Sequence, residues 1–97
     1  MNISMMKFGS VLTSRQSGKE SYAAFLPTLA GMDKNEKVLV DFTGVSVFSP
    51  SWGDEFLTPL QKRFGERLTL KNISNPSVHL TMVMLERINH APFKTAA

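Results

Sequence analysis

Residues 37–64 have the sequence KVLVDFTGVSVFSPSWGDEFLTPLQKRF, and this stretch decides the predicted fold. Residues 37–42 carry an unbroken apolar run from Val38 to Val40, which predicts a strand that is covered on both faces and ends near Asp41. A turn rich in hydroxyl groups follows. An amphipathic helix comes next, because large apolar side chains recur on one helical face, namely Trp52, Phe56, Leu57, Leu60 and Phe64.

The start of this helix is the candidate functional region. Ser51 is followed three residues later by Asp54, which resembles a capping box and predicts Ser51 as the N-cap. Free backbone N–H groups and the helix dipole favour anions at such a place. Two roles for Ser51 stay open: a helix cap worth about 1 kcal/mol, or a hydroxyl that accepts a phosphate. A phosphate would add roughly −1.5 to −2 charge beside Asp54 and Glu55.

A helix is predicted before the central strand. Ser14 or Ser17 caps it, and Pro27 predicts a kink or an early stop near Phe25, because proline removes a helical hydrogen bond. Gly31 is expected to end the segment. Two extended segments precede the helix, at residues 2–8 and 11–12.

A strand and a helix are predicted after the central helix, which Gly65 is expected to end. Residues 67–71 alternate between polar and apolar, as in a half-buried strand. Asn75 and Pro76 then begin the last helix as cap and first residue. Its predicted apolar face comprises Val78, Met82, Leu85 and either Ile88 or Asn89, broadened by Leu80, Val83 and Met84. The tail, residues 90–97, is expected to be frayed.

The alternation of strands and helices predicts one α/β domain over residues 1–97, with helices packed on a mostly parallel or mixed sheet. A chain of 97 residues is long enough for one core. The first strand pairs either within the monomer or with another copy, so a homodimer is one of the alternatives.

Composition excludes several classes of function. The net charge is +3, but the basic residues are dispersed, which argues against nucleic-acid binding. The chain has no Cys, so thiol chemistry and disulfides are excluded. No apolar stretch is as long as a membrane span, and the first residues do not resemble a signal peptide. A cytoplasmic protein without a cofactor is expected.

Three further residues each have two interpretations. Arg15 lies near a helix start, where a cation is unfavourable, so it either contacts an anion or is solvated. Trp52 is either a core residue or an exposed anchor for a partner. Asp41 is either a turn residue that accepts backbone N–H bonds or a functional acid.

No catalytic group is predicted. Asp54 and Glu55 are adjacent and point apart on a helix, so they make a poor acid–base pair. His79 and His90 lack neighbours at metal-ligand spacing, and no glycine-rich phosphate loop is present. An enzyme is therefore the lowest-ranked class.

The stretch VLVDFTGVSVFSPSWGDEFLTPL resembles the STAS domain of anti-sigma factor antagonists, in which a strand ending in Asp leads to Asp-Ser-Ser-Gly at a helix start. It is more similar to a small bacterial STAS-like family of unknown function. That family shows Asp-Phe-x-Gly-Val, then Ser-Pro-Ser before an aromatic residue, then Asp-Glu. Ser14-Arg15 and Asn75-Pro76-Ser77 also resemble this family.

The resemblance implies a STAS-like fold and a non-enzymatic role in protein–protein signalling. Such domains bind a protein kinase of the histidine-kinase ATPase fold, and phosphorylation of a serine breaks the contact. Ser51 matches that serine, with Ser49 as a second candidate at the Asp position; Pro50 falls at the first Ser and Trp52 at the Gly. The implied partner surface comprises Asp41, Ser49, Ser51, Trp52, Asp54 and Glu55. The alternative hypothesis is a module that binds a nucleotide or small anion at the same helix start, with Arg15 as counter-charge.

Overall fold

Four strands form one parallel sheet in the computed structural model, which describes residues 1–96. They are β1 (Asn2–Ser4), β3 (Val38–Asp41), β5 (Leu68–Lys71) and β6 (Lys94–Ala96), and they lie side by side in that order. A separate two-stranded parallel sheet pairs β2 (Val11–Leu12) with β4 (Val47–Phe48). The predicted α/β class with a mostly parallel sheet is confirmed, and β1 pairs with β3 of the same chain.

Three helices connect the strands of the larger sheet: α1 (Arg15–Ala30), α2 (Pro50–Phe64) and α3 (Pro76–Asn89). The strands follow chain order across the sheet and parallel crossovers are right-handed, so all three helices lie on the same face. Val38 and Val40 are buried beneath them, whereas Leu39 points to the open face and is half-buried. The prediction that this strand is covered on both faces is therefore wrong, because an apolar Leu39 does not by itself require a second layer.

The N-terminal half differs from prediction in two places. The first extended segment ends at Ser4 and continues as a 3-10 helix over Met5–Phe8. The helix α1 is capped by Ser14, whose hydroxyl accepts from the Ser17 amide at 3.0 Å. It does not stop near Phe25 but continues to Ala30. Pro27 is exposed on this helix, so water can satisfy the carbonyl that loses its partner.

The C-terminal half contains a strand that was not predicted. Asn75 caps α3 as expected, and its side chain accepts from the amides of Ser77 and Val78. Residues 94–96 of the tail pair with β5, so the prediction of a frayed tail is wrong there; residue 97 lies outside the described residues.

Contacts with the helices hold the segment that leads into β6. The Gln61 amide donates to the carbonyls of Ala91 and Pro92, at 3.2 and 3.1 Å. The Glu86 carboxylate accepts from the Phe93 amide at 2.6 Å, and the Phe93 side chain joins the core.

The core is dominated by aromatic rings where α1, α2 and β4 meet. Trp52 stacks on Phe56 with ring centroids 5.1 Å apart, and Phe8 meets Phe56 edge-on at 4.9 Å. Phe25 and Phe48 border the same group. Within residues 1–96, no helix combines the length and the apolar character that crossing a membrane requires.

Candidate functional site

The candidate site is the junction at which β4 leads into α2. Two contacts from Ser49 tie this junction to β2: the Ser49 amide donates to the Leu12 carbonyl at 2.9 Å, and its hydroxyl donates to the Thr13 carbonyl at 2.7 Å. Because β2 leads directly into α1, the first residues of α1 and α2 lie next to each other. This is also the edge at which parallel strands end, where ligands of α/β proteins usually bind.

Ser49, not Ser51, is the N-cap of α2. The Ser49 hydroxyl accepts from the Trp52 amide at 3.2 Å, and Ser49 has the extended backbone that a cap requires, with φ −93° and ψ 155°. Pro50 is the first helical residue, a position where its missing N–H costs nothing. The predicted capping box between Ser51 and Asp54 is therefore wrong, because the helix begins two residues before a Ser51 cap would allow.

Ser51 is the second residue of α2 and is half-buried. Its hydroxyl takes part in no hydrogen bond among the contacts of the described residues. Residues three and four apart share a helical face, so Ser51 lies on the same face as Asp54 and Glu55. This serine hydroxyl is thus held on a surface that is already acidic.

Arg15 joins the start of α1 to this acidic face. Its Nη1 lies 3.1 Å from Asp54 Oδ2 and 2.9 Å from Glu55 Oε1, so one guanidinium nitrogen donates to both carboxylates. The hydrogen bond to Glu55, and then that to Asp54, raises the pKa of Arg15 above its ordinary value. The pair is solvent-exposed and contributes little to stability. An incoming anion would have to compete with these two carboxylates for Arg15.

Asp41 belongs to a separate polar group at the ends of β3 and β5. Its Oδ1 accepts from the Thr43 amide at 2.9 Å, from the Thr43 hydroxyl at 2.7 Å and from the Asn72 side chain at 2.8 Å. The bonds from Asn72, and next those from Thr43, lower the pKa of Asp41 to about 2. Asp41 is therefore a carboxylate that fixes the turn after β3, as its turn interpretation predicts.

Asn72 was not singled out in the sequence. It has a left-handed backbone with φ 59°, which Asn adopts more readily than most residues. Its side chain also donates to the Thr43 hydroxyl at 2.8 Å. An Asn directly after a predicted strand is the only signal that could have marked it, and that signal is weak.

Trp52 is fully buried, so its core interpretation holds and its side chain is not an exposed anchor. The indole Nε1 donates to the Ser17 hydroxyl at 3.3 Å.

Two cavities lie at the other end of α2. One, of about 620 Å³, is lined by Gln61, Gly65, Glu66, Ala91, Pro92, Phe93 and Lys94. The other, of about 200 Å³, is lined by Leu29, Ala30, Met32, Asp33, Lys34, Arg63, Phe64 and Arg67. Neither includes any of residues 49–55. In the part of the chain that the structure describes, no three acidic or histidine side chains are placed to hold a metal ion.

Residues 22–78 match the model of a family described as a STAS-like domain of unknown function, DUF4325. The chain belongs to this family. The matched residues run from within α1 to the first turn of α3, so they include the junction of β4 with α2 and exclude Arg15. No curated protein and no solved structure matches the chain.

In its resemblance to anti-sigma factor antagonists, this STAS-like domain departs twice from the Asp-Ser-Ser-Gly pattern, and the structure shows what each of the two residues does here. Ser49 stands at the Asp position and caps α2, a role for which Ser and Asp are similarly suited. Trp52 stands at the Gly position, and its backbone faces Gly18 of α1. A glycine on the neighbouring helix thus lets α1 approach the backbone of α2 closely at Trp52.

Proposed function

We propose that this STAS-like domain is a non-enzymatic protein-interaction module of a partner-switching system, which docks its partner at the first two turns of α2. The observation that carries the proposal is the different use of two serines. Ser49 is engaged through both its donor and its acceptor, whereas the hydroxyl of the half-buried Ser51 has no hydrogen-bond partner among residues 1–96. This leaves Ser51 as the residue that can be modified without loss of the helix cap.

Phosphorylation of Ser49 would damage the fold instead of switching a surface. A phosphate on its oxygen would remove the hydrogen bond to the Thr13 carbonyl and crowd the contact with the Trp52 amide. Ser51 carries no such contact. It is therefore the phosphorylation candidate of the two, in agreement with its place in the STAS pattern.

A phosphate on Ser51 would change the charge of the docking face sharply. Asp54 and Glu55 already share a single guanidinium, so the face carries excess negative charge before modification. A phosphate adds about −1.5 to −2 more within one helical turn. A partner seated there would meet both the added bulk and the added charge, and would be released. By resemblance, the partner is a kinase of the histidine-kinase ATPase fold.

Binding of a nucleotide or small anion at this helix start has less support. Pro50 has no N–H, the Trp52 amide donates to the Ser49 hydroxyl, and the Gly53 amide donates to the Ser49 carbonyl at 2.9 Å. Only the Ser51 amide is left in the first turn. One amide with a committed Arg15 is a poor anion site compared with the amide clusters that bind phosphates.

The proposal is tested on the protein purified from its native cell with whatever it binds. Phosphopeptide mass spectrometry should find phosphate on Ser51, and the co-purified protein should include an ATPase-fold kinase. Binding of that partner to recombinant protein should be retained in Ser51→Ala and lost in Ser51→Asp. The control is Ser74→Asp, which adds the same charge at an exposed loop residue and should bind normally. Equal binding by the Ser51→Asp and Ser74→Asp variants would refute the proposal.

A further inference from the structure

The Ser51 side chain lies one helical turn from the two carboxylates that hold Arg15. With 3.6 residues per turn, Asp54 lies about 60° to one side of Ser51 around the axis of α2, and Glu55 about 40° to the other side. They are about 4.5 Å and about 6 Å further along that axis. Side chains of a helix lean towards its N-terminus, so both carboxylates reach back over the turn that contains Ser51. The guanidinium that joins them is therefore held close to the Ser51 side chain.

Arg15 uses little of its capacity to donate hydrogen bonds in this arrangement. Its Nη1 makes the contacts to both Asp54 and Glu55, while its Nη2 and Nε make none among residues 1–96. A guanidinium binds an anion best when two of its nitrogens donate to two oxygens of one group. Neither carboxylate is bound in this way, and the Arg15 side chain is 55% exposed. Arg15 can thus turn to a stronger acceptor on the same face.

A phosphate on Ser51 would be such an acceptor. It carries about −1.5 to −2 charge and three acceptor oxygens, and it can accept two parallel bonds from one guanidinium. The starts of α1 and α2 lie side by side, and the dipoles of both helices favour negative charge there. A dissolved anion would have to displace the two carboxylates from Arg15. A phosphate bonded to Ser51 does not diffuse away, and its effective concentration at Arg15 is roughly millimolar or higher.

We infer that phosphorylation of Ser51 transfers Arg15 from Asp54 and Glu55 to the new phosphate. The inference rests on the proposed function and describes how the same site is regulated. The kinase transfers the terminal phosphoryl group of ATP to the Ser51 oxygen and releases ADP and the hydroxyl proton; Arg15 then exchanges one ion pair for another. Arg15 is thus a positioning residue that ties the phosphate to the first turn of α1. Two carboxylates lose their counter-charge when the phosphate arrives, so the surface that a partner meets changes at three side chains of α2.

The test uses the full chain with phosphoserine incorporated at residue 51 by genetic code expansion, so no native kinase is needed. Titration followed by phosphorus NMR measures the second pKa of the phosphate. This pKa should be lower by about 0.5 or more with Arg15 than in Arg15→Ala, because a nearby cation favours the dianion. Arg15→Lys should restore part of the difference, because Lys keeps the charge but lacks the planar fork.

The matched control is Lys19→Ala. Lys19 is an exposed cation one turn further along α1 and makes no ion pair among residues 1–96. Its removal should change the pKa of the phosphate by less than about 0.2, because an exposed charge that makes no contact is screened by solvent and salt. An equal pKa with and without Arg15, or equal changes in Arg15→Ala and Lys19→Ala, would refute the inference.

A second measurement asks whether Arg15 leaves its carboxylates. The Nε–H resonance of Arg15 is followed in nitrogen-15-labelled protein, with and without the substitutions Asp54→Asn and Glu55→Gln. In the unmodified protein these substitutions should shift the resonance, because they remove both acceptors. In the phosphoserine protein they should leave it in place. A shift of equal size in both forms would show that Arg15 stays with the carboxylates, and would overturn the exchange.

The phosphopeptide measurement on native protein separates the two proposals. Phosphate on native Ser51, together with no effect of Arg15 on the pKa of the phosphate, would support the switch and refute the exchange. Unmodified Ser51 in the cell, together with the full Arg15 response in the phosphoserine protein, would refute the switch and leave the exchange as a property of this chain.

Discussion

Gly18 allows α1 to approach the backbone of α2, and replacing it should loosen this contact. A Cβ at residue 18 would lie 2.7 Å from the Trp52 carbonyl oxygen, 3.0 Å from its Cα and 3.2 Å from its Cγ. Two of these atoms belong to the backbone and cannot rotate away. Gly18→Ala therefore requires α1 to move relative to α2, and it places the hydrogen bond between the Trp52 indole and Ser17 at risk.

The expected loss follows from two opposing effects. Alanine in a helix interior is favoured over glycine by about 0.8–1 kcal/mol. Overpacking of a close contact costs about 1–3 kcal/mol, and a lost hydrogen bond adds about 1 kcal/mol. We expect the free energy of unfolding to fall by about 1–3 kcal/mol in Gly18→Ala. For a domain of this size, each kcal/mol lowers Tm by about 4–8 °C.

Urea unfolding followed by circular dichroism measures this change. The matched control is Gly31→Ala, where the new Cβ would meet only the Thr28 carbonyl oxygen at 3.8 Å and φ is −84°. That variant should be as stable as the wild type or more stable by up to about 1 kcal/mol. A Gly18→Ala variant as stable as the wild type would show that α1 and α2 are not in backbone contact, and would refute the reasoning.

Two further predictions concern the site. Ser49→Ala should lower the free energy of unfolding by about 1–2 kcal/mol, because it removes the cap of α2, whereas Ser51→Ala should change it by less than about 0.5 kcal/mol; equal effects in urea titrations would contradict the assignment of the cap. The pKa of Asp41 is lowered from 3.8 to about 2, so its stabilising contribution is present above pH 3.8 and is lost as the pH falls towards 2. Unfolding curves between these pH values should be less pH-dependent in Asp41→Asn than in the wild type, and parallel curves would count against the network with Asn72.

The sequence predicts the strands and helices that carry long periodic patterns. Both β3 and α2 fall where their apolar residues place them, and Asn75 caps α3 as its position before Pro76 indicates. The start of α2 was predictable in principle. Proline is favoured as the first helical residue, so Pro50 indicates Ser49 as the cap and outweighs the weaker pattern of Ser51 with Asp54.

Other features depend on contacts between distant parts of the chain. The residues of β6, Lys94–Ala96, have no strand-like alternation of their own. They form a strand because their backbone pairs with the edge of β5. Asn72 reaches Asp41 only because adjacent parallel strands end together. The exposure of Leu80 could not be predicted from the sequence. Apolar residues cover more of α3 than the core can bury, and their periodicity does not indicate which of them stay exposed to solvent.

The order of strands in the larger sheet has a consequence for how the protein is made. Each strand after β1 pairs with the strand that precedes it in the sheet, and position along this sheet follows position along the chain. During synthesis, β1 and β3 can pair around α1 before β5 has emerged, and each later helix and strand adds to an existing edge. Folding can therefore proceed from the N-terminal side as the ribosome advances, at roughly 5–20 residues per second, with no earlier pair of strands needing to separate.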